Sequence, residues 1–153
     1  MERYNRLNDY LKNKFGERTL KICIDGGFSC PNRDGSKGVG GCTFCSEKGS
    51  GEHLHSFETI STQVQDYFRS YKACRANKFI AYFQNFTNTY DSLKNLKNKY
   101  DSALIDDRIV ALAVATRPDC INENVVKLLK SYLGKYYVWV ELGLQTANEK
   151  TGQ

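Results

Sequence analysis

The chain has 153 residues, of which 41% are hydrophobic and 25% charged, and 22 Lys and Arg against 17 Asp and Glu leave a net charge of +5. That composition excludes a disordered or low-complexity chain and is enough for one domain with a real core. No stretch approaches the unbroken apolar span of a membrane helix, and "MERYNRLNDYLKNK" is too polar for a secretory leader, so the expectation is a soluble, cytoplasmic protein with no membrane partner.

In chain order, Tyr4, Leu7, Leu11 and Phe15 recur at helical spacing over 4–15, with Gly16 as the stop. "TLKICID" (19–25) reads as a short strand ending at Gly26-Gly27, and a long glycine-punctuated loop follows over 26–51. Ile60, Val64, Tyr67, Phe68 and Tyr71 then place an apolar stripe on a helix from about 57 to 73. "KFIAYFQ" (78–84) is an apolar strand, 92–100 a weaker helix and "RIVALAVAT" (108–116) a second apolar strand. Asn122 fits the N-cap of a helix through "ENVVKLLKSYL" that Gly134 closes, and "YYVWVELGLQ" (136–145) is the last strand.

Strands alternating with helices predict right-handed βαβ units and an α/β fold built on a parallel sheet of about four strands. Strands that are apolar throughout fit a sheet covered on both faces. Each strand also ends in polar residues: Asp25, then Gln84 and Asn85, then Thr116, Arg117 and Asp119, and finally Glu141 and Gln145. Ligands bind at that edge of α/β sheets, so this alignment predicts a site there.

Of six cysteines, Cys30, Cys42 and Cys45 are spaced C-x11-C-x2-C within the glycine-rich loop. In a reducing compartment such a cluster points to metal or redox chemistry rather than disulfides. Three thiolates can hold three irons of a 4Fe–4S cluster and leave the fourth iron open. Cys23, six residues before Cys30, keeps a four-thiolate zinc site in contention. Against zinc, Cys23 falls within a strand, and a second C-x2-C knuckle is lacking.

"CPNRDG" followed by "GGCTFCSEKGSG" resembles the cluster loop of radical S-adenosylmethionine (SAM) enzymes, and the long first gap resembles the YhcC/YtqA-like branch, related to the catalytic subunit of elongator. "RYNRLNDYLKNKFGE", "AYFQNFTNTY", "ATRPDCI" and "VELGLQT" agree with that branch, so the resemblance spans nearly the whole chain. It implies the N-terminal portion of a (βα)6 partial barrel, with residues 1–153 forming one truncated core domain. It also implies a 4Fe–4S cluster on Cys30, Cys42 and Cys45, with SAM chelating the open iron. One-electron reduction would cleave SAM to a 5′-deoxyadenosyl radical. Phe44 would border the adenine, Gln84 and Asn85 would meet the SAM amino group, Arg117 its carboxylate, and Glu141 and Gln145 would add further contacts. An electron donor such as flavodoxin or ferredoxin is implied as partner. Kinship to elongator, with the basic charge, points to RNA and to tRNA wobble-uridine modification. The alternative function is a zinc-binding nucleic-acid or protein interaction module without catalysis.

Other residues read more plainly. Cys74 and Cys120 are expected to be small buried or neutral side chains, Cys23 structural, and His53 and His55 loop residues. Tyr82 and Phe83 fill the sheet, Phe86 and Tyr90 can stack on a base, and Trp139 belongs to the core. The chain stops soon after its fourth predicted strand, whereas members of the branch continue, so the expectation is a truncated gene or a fragment of a longer chain.

Overall fold

The computed structural model describes residues 4–39 and 59–143. Cys42, Phe44, Cys45, His53, His55 and Gln145 lie outside the described residues. The elements are α1 (Leu7–Phe15), β1 (Thr19–Ile24), α2 (Ile60–Arg69), β2 (Lys78–Phe83), α3 (Leu93–Ala103), β3 (Ile109–Thr116), α4 (Glu123–Lys130) and β4 (Tyr137–Leu142). The strands form one sheet in the order β1-β2-β3-β4, every pair parallel. The fold is therefore α/β, as the alternating pattern predicts. No helix among the described residues is long and apolar enough to cross a membrane.

Local chemistry accounts for the helix ends. Thr59, Ser92 and Asn122 each accept a backbone N–H of the first turn of α2, α3 and α4. Gly16 takes the left-handed conformation that stops α1, at φ 78°. Two expected boundaries shift. Extended Ser70 ends α2, its hydroxyl donating to the Tyr67 carbonyl at 2.6 Å, and a separate 3-10 turn follows at Tyr71–Arg75. α4 stops at Lys130 with Ser131 as its cap, so turns rather than Gly134 close it.

Alternation along the strands separates two cores. Ile22, Ile24, Phe79, Phe83, Leu112 and Val114 join Val64 of α2, Leu96 and Tyr100 of α3 and Val125 of α4 in the larger one. All three connecting helices thus cover one face of the sheet. On the other face Ile80, Tyr82, Ala111 and Ala113 pack with Leu11 and Phe15 of α1, and Trp139 is only partly buried beside them. Phe15 stacks edge-on against Tyr137 at 5.0 Å and its carbonyl accepts from Lys78 Nζ at 2.7 Å, which fixes α1 at the N-terminal end of the strands. The two faces are therefore covered unequally, more sparsely on the α1 side than uniformly apolar strands imply. β4 is apolar in sequence yet mostly half-exposed: it is an edge strand of the described sheet, as is β1, but α1 and α2 pack against β1.

Candidate functional site at the C-terminal edge of the sheet

Beyond β1 the backbone turns sharply. A Cβ on Gly26 would lie 2.3 Å from the Phe28 ring, leaving no room for a side chain, and Gly27 sits at φ 64°, a left-handed conformation that favours glycine. The turn lets Phe28 bury itself against Phe83 and delivers Ser29 and Cys30 to the edge where β2 and β3 end. Gln63 of α2 fixes the departure point, its side-chain amide exchanging two 2.9 Å hydrogen bonds with the backbone N–H and carbonyl of Asp25.

The segment after β2, Gln84–Tyr90, ties this edge together. Asn85, Thr87, Asn88 and Thr89 are all buried. Asn85 donates to Asp25 Oδ2 at 3.0 Å, and the Thr87 N–H donates to the Ser29 carbonyl. Asn88 donates to the Ala115 carbonyl from both its backbone and, at 2.7 Å, its side chain, and its own carbonyl accepts from Tyr100 at 2.6 Å. Thr89 accepts from Thr116 at 2.7 Å and donates to the Cys120 carbonyl at 2.6 Å. One short segment thus joins the ends of three strands. Its path forces Phe86 to φ 59°, a conformation bulky residues avoid, while Arg33 of the cysteine loop lies over the Phe86 ring. Phe86 is half-buried with Arg33 over its ring, and Tyr90 bonds to the Ser36 hydroxyl at 2.8 Å.

Cys30 lies where these threads meet. Partial burial opposes its ionisation. Hydrogen bonds from the Thr87 side chain, the Asn32 backbone and Arg117, with the Arg117 charge, outweigh it and hold the thiol below its ordinary value. Arg117 Nη1 stands 3.8 Å from Cys30 Sγ. The same guanidinium donates from Nε and Nη2 to the two carboxylate oxygens of Asp119, each at 2.9 Å. Lys37 of the cysteine loop closes on Asp119 as well. Arg117 first, then Lys37, keeps the Asp119 carboxyl well below the usual carboxylate range. Beside this array a cleft opens between Pro31, Lys37, Thr89, Tyr90, Asp119 and Asn122.

The remaining candidates separate from Cys30. Cys23 lies within β1, paired in register with Tyr82, and burial raises its thiol pKa. It shares the α1-covered face with Glu141, which accepts from Tyr82 at 2.5 Å and pairs with Lys21 at 3.4 Å. Burial, then that carboxylate, pushes the Tyr82 hydroxyl far above its ordinary value. Cys120 is half-buried and its thiol is pushed up to about 11, by burial and then by Asp119. Cys74, read as a small buried or neutral side chain, is exposed, because the 3-10 turn at Tyr71–Arg75 buries Ala73 instead. Gln84 is half-buried just past β2.

A thiolate metal ligand needs donors converging on its sulfur and little apolar insulation, and Cys30 meets both conditions. Among the described residues no three His, Cys, Asp or Glu side chains gather as a metal site, and the other two cysteines of the motif lie outside them. Sequence reading identifies Cys30, Asp25, Asn85, Thr116 and Arg117 at this edge but misses Thr87, Asn88 and Thr89. A local signal for them is the polar stretch "QNFTNTY", broken only by Phe86 and Tyr90, directly after an apolar strand and free of glycine and proline.

No model of a known protein family matches the chain. It is 45% identical over 152 residues to the uncharacterized protein YtqA of Bacillus subtilis, an alignment covering 98% of this chain and 47% of that one. It is 40% identical over 148 residues to protein YhcC of Escherichia coli K12, covering 96% of this chain and 47% of YhcC. An uncharacterized protein of Methanocaldococcus jannaschii is 32% identical over 146 residues, which cover 93% of this chain and 44% of that protein. The chain therefore spans about half the length of the curated relatives it matches.

Proposed function

We propose that this chain is the N-terminal portion of a radical SAM enzyme, with Cys30, Cys42 and Cys45 holding a 4Fe–4S cluster at the C-terminal edge of a partial barrel. The observation that carries the reading is the convergence of Thr87, the Asn32 backbone and Arg117 on the sulfur of Cys30, the first cysteine of the C-x11-C-x2-C motif. When bound, the cluster supplies one electron for reductive cleavage of SAM. The chain's own residues orient and enclose. The Gly26-Gly27 turn and Phe28 place Cys30, and the Gln84–Tyr90 segment braces it from behind. By the resemblance, Gln84, Asn85 and Glu141 would contact SAM, together with Phe44 and Gln145. Glu141 is kept in place for this by Tyr82 and Lys21. RNA, with tRNA as the first candidate, is the proposed substrate class, consistent with the +5 charge.

Anaerobic loading with iron and sulfide tests the reading. The expected product is brown, absorbs broadly near about 400 nm, and after reduction gives an EPR signal that changes on adding SAM. Stoichiometric zinc binding with no iron uptake would replace this reading with the interaction-module alternative.

A further inference from the structure

We propose that Arg117, oriented by Asp119, is a positioning residue whose Nη1–H donates to the Cys30 sulfur and so raises the electron affinity of the metal centre, an inference that rests on the iron–sulfur reading above. The geometry leaves the guanidinium little choice. Nε and Nη2 are both committed to Asp119 at 2.9 Å, a two-pronged pairing that fixes the plane of the group. The nitrogen left over, Nη1, is the one that reaches Cys30 Sγ at 3.8 Å.

Asp119 is itself held in place. It sits in the 3-10 turn Pro118–Cys120, which Arg117 caps, and Lys37 grips it from the cysteine loop. The carboxylate therefore connects the loop that carries Cys30 to the strand end that carries Arg117. Nothing else in the pairing calls for the guanidinium to face a sulfur 87 positions away in the chain.

A hydrogen bond and a positive charge at a ligating sulfur withdraw electron density and favour the reduced, more negative cluster. This use of Arg117 differs from the one that resemblance implies, a bidentate grip on the SAM carboxylate, for which the fork would first have to leave Asp119. The two uses separate experimentally. One is visible with SAM absent, and the other only with SAM present.

The test is an EPR-monitored redox titration, with dithionite as reductant, of the full chain loaded anaerobically and kept free of SAM. Wild type would be compared with Arg117→Gln, Arg117→Lys and Asp119→Asn at matched iron content. Arg117→Gln is expected to lower the electron affinity on the order of tenfold, about 59 mV for a one-electron couple. Asp119→Asn should shift it the same way by less. Arg117→Lys, which keeps the charge without the fork, should fall between wild type and Arg117→Gln. Iron-loaded variants with the wild-type potential would overturn the inference alone, the more so if Arg117→Gln weakened SAM binding. A wild-type chain that takes up no cluster would overturn the iron–sulfur reading and this inference with it.

Discussion

At the N-terminal end of the sheet Arg108 pairs with Asp106 and Lys78 with Glu17, all in contact with water, while at the C-terminal end Asp25, Asn85, Thr89 and Thr116 are bonded among themselves and buried. The same four strands run through both ends, so the difference lies in what their loops bring. Below, aromatic packing does the holding: Phe79 is enclosed by Phe68 at 4.9 Å and Tyr67 at 5.8 Å, and Arg108 lies across the Phe68 ring. Above, hydrogen bonds with defined directions do it. Aromatic packing stabilises without fixing any atom to a fraction of an ångström, whereas buried, directional hydrogen bonds fix atoms and are costly to leave half-made. The second arrangement sits beside the Cys30 sulfur and the Arg117 guanidinium, 3.8 Å apart.

Substitutions at each end sharpen the contrast. The largest loss of stability is expected at the lower end: Phe79→Ala, at a fully buried position, should cost about 3–5 kcal/mol in chemical denaturation. At the upper end Tyr100→Phe removes only a hydroxyl, the 2.6 Å donor to the buried Asn88 carbonyl, yet should cost about 1–3 kcal/mol because that carbonyl loses its partner. If Tyr100→Phe proved neutral, the upper network would not be the rigid brace described.

The smallest effect belongs to the exposed pair. Asp106→Asn should cost no more than about 1 kcal/mol at neutral pH. Hydrogen bonds from Arg108 hold the Asp106 carboxyl below its ordinary value, so the pair's contribution is present above the unfolded-state pKa of about 4 and is lost as pH falls through the folded one. Melting curves of wild type and Asp106→Asn should accordingly converge on acidification. A gap that widened there would reverse the assigned sign.

The regular parts of this fold are legible from the residues. Apolar runs mark β2 and β3, and Asn122 marks the start of α4, because both signals are local. The break at Ser70 is not, since the spacing of Tyr67, Phe68 and Tyr71 continues the helical pattern through it. At the site, Cys30 and the polar strand ends can be read from motif and position. The burial of Thr87, Asn88 and Thr89 cannot, because polar residues between a strand and a helix look like solvated loop until three strand ends close around them. Arg117 and Asp119 are visibly a charged pair two residues apart, but only tertiary packing turns the remaining nitrogen toward a sulfur contributed by a distant loop.

The most direct measurement of the central claim is a Mössbauer spectrum of the chain loaded with iron-57 and sulfide under strict exclusion of oxygen, recorded with and without SAM. Binding by the three cysteines predicts a cubane spectrum with one iron site that changes when SAM is added, and loss of that spectrum in Cys30→Ala. An unchanged spectrum in Cys30→Ala, or a wild-type chain carrying no cubane at all, would contradict it.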